Sequence, residues 1–536
     1  LLFILLFNGV FINAQEKALV NCSSSPYALL HGVNMGETVW TEGFWAERFK
    51  ITRNTTVPGI WDIYASPEIS HAFRNFEIAA GLREGEHKGP SFHDGDFYKV
   101  IESMAATYAL TKDTKLDSLM DLAIAVIGKA QRSDGYIYTP AAIRERQTGN
   151  STVFSERINF EAYNLGHLMT AACLHNRATG KKTLLSVAER AAGFLCRYYE
   201  NSSPELARNA ICPSHYMGIV EMYRTTGNPE YLRLAANLID IRGYTEDGTD
   251  DNQDRIPFRL QTKAMGHAVR ANYLYAGVAD VFAETGDSSL YKVLDLIWHD
   301  VTERKIYITG GCGALYDGVS PDGTSYKPSE IQKTHQAYGR DYQLPNITAY
   351  NESCANIGNL LWNYRMFLIT GEARFADMLE LTLYNSILAG ISLDGKRYFY
   401  TNPLRVDNDF PYIMRWKKER EEYISLSNCC PPNTARTLAE SSGYAYSMSE
   451  KGLWLTIYGS NRISTVTFEG DSIVVRQKTE YPWDGKITLL LEKAPDKEYS
   501  LFLRIPGWSD GAGIRINHAG YPLRGIPGTF HEIRRK

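Results

Sequence analysis

Four side chains in the C-terminal half of the sequence form a potential metal-binding set. Glu352 and Cys354 lie two positions apart, and Cys429 and Cys430 are adjacent. Three thiols and a carboxylate make a complete tetrahedral set for Zn²⁺, whose borderline-soft character favours thiolate ligands. Because a neighbouring cation keeps a thiol deprotonated and reactive at neutral pH, these residues could perform covalent catalysis as well as hold the fold together.

Two other interpretations of these residues stay open at this point. Closed sites with four protein ligands are usually structural, so an architectural zinc ion that pins two helices is the main alternative. The second is a disulfide between the adjacent Cys429 and Cys430, which requires a strained ring. The remaining thiols Cys173, Cys196 and Cys212 show no disulfide-framework spacing, and we interpret them as core residues.

Both pairs of candidate ligands lie next to predicted helices. The apolar pattern predicts a helix from Ala355 to Thr370, directly after Cys354. Two prolines follow Cys430, and because proline favours the start of a helix we predict a second helix from Thr434 to Ser442. The positive end of the helix dipole stabilises anions, so the cysteines of both pairs would favour the thiolate form.

A short turn motif recurs between the predicted helices of the first 385 residues. Its examples are Thr111-Lys112-Asp113, Thr179-Gly180-Lys181, Thr226-Gly227-Asn228, Thr285-Gly286-Asp287 and Thr370-Gly371-Glu372. Glycine in the left-handed region ends one helix, and the polar residue after it begins the next. The spacing is irregular, at roughly 45 to 85 residues, so the motif predicts an α/α toroid rather than a solenoid of fixed period.

The rest of the chain predicts a mainly α protein with a β domain at its end. Helical periodicity covers Leu116–Lys129, Leu184–Glu200 and Tyr231–Ile241. After about residue 450 short apolar runs alternate with turn residues, which predicts a β-sandwich. We expect a lead-in segment over residues 15–60, a helical catalytic domain over 61–450 and the sandwich over 451–536, with the chain truncated at both ends.

Composition and termini limit the partners and the compartment. The 57 basic and 61 acidic residues form no basic run, which argues against nucleic acid and a polybasic membrane anchor. Leu1–Val10 is almost wholly apolar and Ala14 ends a small-residue site, which predicts a signal peptide over residues 1–14 and a periplasmic or extracellular protein. This segment is too short to span a bilayer, and a buried N-terminal strand is the alternative.

Several motifs resemble those of the non-reducing-end β-L-arabinofuranosidase family, glycoside hydrolase family 127 and its close relatives. They are Glu42-Gly43-Phe44-Trp45, Gly266-His267-Ala268-Val269-Arg270, Tyr307-Ile308-Thr309-Gly310-Gly311, the run from Asp341 to Cys354, Leu383-Tyr384-Asn385, Asn402-Pro403-Leu404 and Cys429-Cys430-Pro431-Pro432-Asn433. The resemblance covers nearly the whole chain, and the spaced Glu-x-Cys and Cys-Cys motifs are highly specific.

The resemblance implies an (α/α)₆ barrel followed by a β-sandwich, and a retaining glycosidase that uses a zinc-bound cysteine. Cys429 would attack the anomeric carbon, while Glu352, Cys354, Cys429 and Cys430 hold Zn²⁺. The expected substrate is a plant cell-wall glycan from which terminal β-L-arabinofuranose or a related pentofuranose is removed. Residues implied to bind this substrate are His335, His267, Glu380, Tyr400 and Asp96.

The sequence departs from the family pattern at two positions. Gln336 occupies the place of the acid/base glutamate, and an amide cannot donate and recover a proton in that way. Phe160 replaces a sugar-binding histidine. The acid could come from Glu330, Asp341, Glu221 or His335; the leaving group or an acidic substrate could supply the proton; or the chain could be a binding-only homologue. The alternative substrate is another pectic side-chain sugar such as aceric acid.

Overall fold

The structure is a computed structural model, and its helices build a barrel around a buried core. It describes residues 17–150, 152–156, 159–208, 215–244, 248–319, 333–409, 417–425, 427–517 and 523–535, with residues 208, 317–319 and 333–335 described by their backbone alone. The α-helices are α1 Gly43–Ile51, α2 Val57–Ala65, α3 Ala72–Ala79, α4 His93–Thr111, α5 Thr114–Ala130, α6 Thr139–Thr148, α7 Glu161–Thr179, α8 Thr183–Tyr198, α9 Pro204–Arg208, α10 His215–Thr226, α11 Pro229–Asp240, α12 Ala268–Thr285, α13 Ser288–Arg304, α14 Ser353–Thr370, α15 Ala373–Thr382 and α16 Cys430–Ala439. The signal peptide predicted over residues 1–14 lies outside the described residues.

The helices form an inner and an outer layer. The inner helices α4, α7, α10, α12, α14 and α16 pack side by side in that order, and α16 packs back against α4 to close the ring. Helices α5, α8, α11, α13 and α15 cover the ring from outside, and α1 and α2 cover α16. Because the inner helices are enclosed on all sides, their residues are buried around nearly the whole circumference, polar ones included, as in α14. The barrel is therefore the predicted (α/α)₆ arrangement.

The recurring turn motif does what its sequence predicts. The inner helices α4, α7, α10, α12 and α14 each end at its threonine, and the next residue has a positive φ of 53° to 77°. The threonine hydroxyl also accepts a hydrogen bond from the backbone N–H two residues later, as in Thr179 to Lys181 at 3.1 Å. An outer helix then begins three or four residues after the threonine. The motif therefore connects each of these inner helices to the outer helix that covers it.

Two sheets follow the barrel, and both also take a strand from the N-terminal segment. One sheet has the order β1-β5-β6-β10-β13 and the other β2-β7-β8-β9. The strands are β1 His31–Gly32, β2 Thr38–Trp40, β3 Leu315–Val319, β4 Lys333–Ala337, β5 Tyr446–Ser449, β6 Gly452–Leu455, β7 Asn461–Val466, β8 Ser472–Thr479, β9 Ile487–Lys493, β10 Tyr499–Ile505, β11 Gly513–Ile514, β12 Leu523–Arg524 and β13 Thr529–Arg535. The two sheets are linked by hydrogen bonds of the Tyr446 hydroxyl. It donates to the side-chain oxygen of Asn461 at 2.7 Å and accepts from the side-chain amide of Gln477 at 3.0 Å.

The predicted boundaries differ from the observed ones in two places. The helical part begins at Gly43, inside the segment expected to be a lead-in, because α1 and α2 are needed to cover α16. Helix α16 begins at Cys430 rather than at Thr434, so the thiol belongs to the first turn. None of the helices in the described residues has both the length and the apolar character that a membrane-spanning helix requires.

Candidate active site

The three thiols and the carboxylate converge at the N-terminal ends of two inner helices. Cys354 lies in the first turn of α14, two residues after Glu352, and Cys430 is the first residue of α16, directly after Cys429. One ligand atom from each residue lies within 4.8 Å of all the others. All four residues are buried. The predicted ligand set is therefore assembled by the packing of α14 against α16.

The spacing of this sulfur cluster, defined as Glu352, Cys354, Cys429 and Cys430, fits a tetrahedral zinc ion. The Cys354 sulfur lies 3.6 Å from Cys429 and 3.4 Å from Cys430, and the last two are 4.0 Å apart. Oε1 of Glu352 lies 3.6 and 3.9 Å from the Cys429 and Cys430 sulfurs. Zn–S bonds of about 2.3 Å at tetrahedral angles require sulfurs about 3.8 Å apart. The thiols are free, so the predicted alternative of a vicinal disulfide is wrong here.

Without a bound cation, the described residues favour one ionised thiol in the sulfur cluster. Burial raises the pKa of the Cys354 thiol, but hydrogen bonds with Cys429 and Cys430 outweigh it and lower that pKa to about 5. The hydrogen bond with Cys354 in turn raises the pKa of Cys429 to about 12. The protein alone therefore stabilises one anionic sulfur, which the three residues share. A divalent cation supplies the charge that allows the others to ionise.

Cys429 is the most exposed residue of the sulfur cluster. Its exposed fraction is 7 %, against 1 % to 3 % for the other three residues of the sulfur cluster. The hydroxyl of Tyr400 lies 3.9 Å from its sulfur, and the Tyr400 carbonyl accepts a hydrogen bond from the N–H of Ser353 at 3.0 Å. The structure thus brings the predicted substrate-binding residue Tyr400 to the sulfur cluster. Cys429 is the sulfur best placed to meet a ligand.

A buried ion pair on α4 lies beside the sulfur cluster. Asp96 and Lys99 are both 0 % exposed, and the ammonium of Lys99 donates to Oδ1 of Asp96 at 3.0 Å and to the hydroxyl of Tyr163. Asp96 is close enough to raise the pKa of the Cys429 thiol. Sequence reasoning named Asp96 but missed Lys99 and Tyr163. The signal it missed was the spacing of three residues, which places Lys99 on the same helical face as Asp96.

His267 and Gln336 meet on a second wall of the site. A backbone bridge joins His267 to Ala337, the neighbour of Gln336, and the N–H of Tyr338 donates to the carbonyl of Gly266 at 3.0 Å. Gly266 has φ of +67°, and a Cβ there would lie 1.6 Å from the carbonyl oxygen of Asp250, so only glycine fits. These contacts fix the approach of strand β4 to the start of α12.

Gln336 and the start of α14 lie on either side of Gly313. A Cβ added at Gly313 would lie 3.6 Å from the Gln336 carbonyl oxygen and 4.0 Å from the Cβ of Ala355, the residue after Cys354. His335 stands opposite Asp317 in the β3–β4 hairpin, and its side chain lies outside the described residues. The structure therefore brings the backbones of His335, Gln336 and His267 to one edge of the site.

The surroundings of two predicted acid candidates, Glu221 and Asp341, can be compared with what a proton donor requires. Burial would raise the pKa of Glu221, but Arg177 and Arg224 lower it to about 2, so it cannot donate a proton near neutral pH. Glu221 was therefore wrong as a candidate acid. Asp341 is exposed to solvent, and Glu330 lies outside the described residues.

Glu380 is held at the junction of the barrel with the β domain. Its carboxylate pairs with Arg504 at 2.6 Å and accepts hydrogen bonds from Tyr481 and Trp508 at 2.6 and 3.2 Å. The contacts that the structure describes for this carboxylate thus come from the β domain. The sequence grouped Glu380 with the sugar-binding residues, and the structure does not bring it to the sulfur cluster.

Phe160 takes a left-handed conformation, with φ of +60°, directly before α7. Its ring packs near Tyr163, at 6.0 Å between ring centres, and the guanidinium of Arg270 lies 5.4 Å from its centre. Arg270 belongs to the first turn of α12, one turn beyond His267, and pairs with Asp251 at 2.7 Å. At the position where the family resemblance predicted a histidine, the chain therefore has the aromatic ring of Phe160, which the Arg270 guanidinium contacts.

Comparisons with known proteins agree with this geometry. Residues 38–443 match the β-L-arabinofuranosidase GH127 catalytic domain and residues 452–536 its middle domain. The non-reducing end β-L-arabinofuranosidase of Bifidobacterium longum is 31 % identical over 477 residues, which cover 83 % of this chain and 68 % of that protein.

Solved structures show the same relationship. A glycoside hydrolase is 51 % identical with a TM-score of 0.84, covering 97 % of this chain and 78 % of that one. A GH127 β-L-arabinofuranosidase from Geobacillus stearothermophilus is 33 % identical with a TM-score of 0.81, covering 93 % and 79 %. The chain therefore belongs to glycoside hydrolase family 127, the β-L-arabinofuranosidase family, and is a glycoside hydrolase.

Proposed function

We propose that this enzyme removes terminal β-L-arabinofuranose, or a related pentofuranose, from plant cell-wall glycans with retention of configuration. Cys429 is the proposed nucleophile. Its sulfur forms a bond to the anomeric carbon as the glycosidic C–O bond breaks, and water later displaces the sulfur to release the sugar. Zinc, when bound by Glu352, Cys354, Cys429 and Cys430, would keep the thiolates ionised.

The observation that supports this proposal most strongly is the asymmetry of the sulfur cluster. A purely architectural zinc site favours four equally enclosed ligands, whereas Cys429 is the most exposed of the four. The Tyr400 hydroxyl, 3.9 Å from the Cys429 sulfur, gives that side of the cluster a polar group that a sugar can use. Asp96 provides a second one, since its Oδ2 atom has no hydrogen-bond partner among the described residues.

The proton for the leaving oxygen must come from a group other than Gln336. An amide at this position favours a substrate that carries its own carboxyl group, so an acidic pectic sugar such as aceric acid is the second candidate. The guanidinium of Arg270 on the Phe160 ring supports this candidate, because arginine is the residue that best binds carboxylates. A good leaving group would remove the need for an acid in either case.

The test is hydrolysis of 4-nitrophenyl β-L-arabinofuranoside by the purified protein loaded with zinc. We expect turnover with retention of the anomeric configuration, measured by NMR of the released sugar. We expect loss of turnover in Cys429→Ala. Cys173→Ala is the matched control, because this buried thiol of α7 is not part of the sulfur cluster and should leave activity unchanged. Turnover by the Cys429→Ala variant would reject the nucleophile assignment.

A second measurement separates the two substrates. The same enzyme is offered an aryl glycoside of the neutral pentofuranose and one of an acidic branched sugar. Faster turnover of the neutral sugar supports arabinofuranosidase activity, and faster turnover of the acidic sugar supports the second candidate. Hydrolysis of neither would contradict the proposed substrate class.

Export is also part of the proposal, since intact cell-wall glycans lie outside the cytoplasm. It is supported by the apolar run Leu1–Val10 and the small-residue site ending at Ala14. N-terminal sequencing of the protein from a periplasmic or culture fraction should find a start near Gln15. Recovery of the uncleaved chain from the cytoplasm alone would contradict export.

A further inference from the structure

Lys99 is an unusual residue for the interior of a helical barrel. It is 0 % exposed on α4, and its ammonium is bound by the Asp96 carboxylate and the Tyr163 hydroxyl. The ammonium also lies 4.9 Å from the centre of the Tyr163 ring. Because a buried lysine costs several kcal/mol unless it is paired, a residue that only filled space here would be apolar.

The partners of Lys99 extend beyond Asp96. Burial lowers its pKa, but Asp96 first, and then the sulfurs of Cys354 and Cys429, raise that pKa above its ordinary value. Lys99 lies in the second turn of inner helix α4, and α4 packs against α16, whose first residue is Cys430. Lys99 and the sulfur cluster therefore lie on neighbouring inner helices.

The net charge of the sulfur cluster with zinc bound explains why a positively charged side chain would be needed beside it. Three thiolates and a carboxylate around one divalent ion have a net double negative charge, and Asp96 adds a further negative charge beside Cys429. In a buried site with low dielectric constant, uncompensated charge is costly. The hydroxyl groups of Ser427 and Tyr400, 3.7 and 3.9 Å from the Cys429 sulfur, are neutral and cannot offset this charge.

We propose that Lys99 is a positioning residue of the metal site, which offsets the negative charge of the loaded sulfur cluster and holds Asp96 beside Cys429. This inference rests on the proposed metal-bound chemistry. It predicts that Lys99 stabilises the bound metal without touching it, as other groups outside the ligand shell do. It also predicts a sign: removing the positive charge weakens metal binding, whereas removing the neighbouring negative charge does not.

The experiment measures zinc affinity by competition with a chromogenic chelator, in the whole protein and in three variants. Lys99→Met should bind Zn²⁺ about 10- to 100-fold more weakly than the wild type. Lys305→Met is the matched control, because Lys305 forms another buried ion pair, with Asp300 at 2.7 Å, at the end of outer helix α13. Its zinc affinity should stay within about twofold of the wild type, as expected for a site outside the ligand environment.

Asp96→Asn tests the sign of the change in zinc affinity. It also distinguishes an effect of charge from general misfolding of the variant. If Lys99 acts through charge, this variant binds zinc at least as tightly as the wild type, whereas general damage to the α4 face would weaken binding in both variants. Equal zinc affinity of Lys99→Met and wild type, or weaker binding by Asp96→Asn, overturns the inference. If the wild type itself binds no zinc at the sulfur cluster, the proposed function fails instead. Absorption bands of Co²⁺ bound to thiolates distinguish this outcome from a failure of the inference, because they report whether the metal occupies the cluster.

Discussion

At the scale of single residues, the proposed chemistry of this site is divided between groups that would bind a metal and groups that would move protons. The sulfur cluster is suited to the first requirement, with sulfur spacings of 3.4 to 4.0 Å. The second requirement is unmet at Gln336, which occupies the half-buried edge next to His267. The two requirements are therefore separable by mutation.

Restoring a carboxyl at this edge should restore proton donation. We expect Gln336→Glu to raise kcat/KM by about 100-fold for an alkyl or sugar β-L-arabinofuranoside, whose leaving oxygen needs a proton. The 4-nitrophenyl glycoside should change far less, because its leaving group needs little assistance. Steady-state kinetics on both substrates measure the ratio. An equal change for both would show that residue 336 acts on binding and not on the leaving group.

At the scale of secondary structure, the inner helices begin with buried polar groups whose ionisation affects stability. Glu161, the first residue of α7, is 2 % exposed and accepts hydrogen bonds from Tyr136 and from the Phe154 N–H. Burial raises its pKa to about 7 despite these bonds. The folded protein therefore holds a proton that the unfolded chain releases at lower pH.

The sign of the resulting pH dependence follows from this difference. A carboxyl with a raised pKa in the folded state contributes its full stability below the unfolded pKa of 4.5, and this is lost as pH rises to about 7. Relative to wild type, Glu161→Gln should therefore gain about 3 kcal/mol in free energy of unfolding across that interval. Urea denaturation at several pH values measures the gain. The exposed Glu156→Gln should show no such trend, and a flat difference for Glu161→Gln would contradict the assignment.

At the scale of the whole molecule, the barrel and the β domain are joined by a buried arginine. Arg504 of β10 is 0 % exposed and pairs with Asp377 at 2.5 Å and Glu380 at 2.6 Å, both on outer helix α15. It also donates to the carbonyl of Thr456 at 2.7 Å. One cation between two carboxylates is therefore part of this junction, together with the hydrogen bonds from Tyr481 and Trp508 to Glu380.

Removal of this cation should weaken the whole fold. We expect Arg504→Met to lower the free energy of unfolding by about 3 to 5 kcal/mol, because it leaves buried carboxylates without a counter-charge. Arg476→Met, which breaks the exposed pair with Glu492 at 2.6 Å, should cost no more than about 1 kcal/mol. Chemical denaturation of both variants gives the comparison. Similar losses would mean that Arg504 is not a special link between the domains.

Much of this protein was predictable from local sequence because the relevant physics is local. The five threonine turns predicted the inner and outer helices, since helix termination depends on one left-handed residue. The convergence of the sulfur cluster was predictable because three thiols and a carboxylate form a set that suits Zn²⁺. Asp96 was recognisable as a weaker candidate, whereas Lys99 was missed because a lysine on a helix normally faces water.

Other features depended on contacts that no local pattern contains. β1 and β2 are two- and three-residue strands, and their sheets exist only through pairing with β5 and β7 over 400 residues away in the chain. Glu380 had the residue type of a sugar ligand, but β10 places Arg504 against it. The ligand types, the turns and the helical class were determined by the sequence itself. The tertiary structure decided which carboxylates face the sulfurs, because closing the ring of helices sets the distances between residues far apart in the chain.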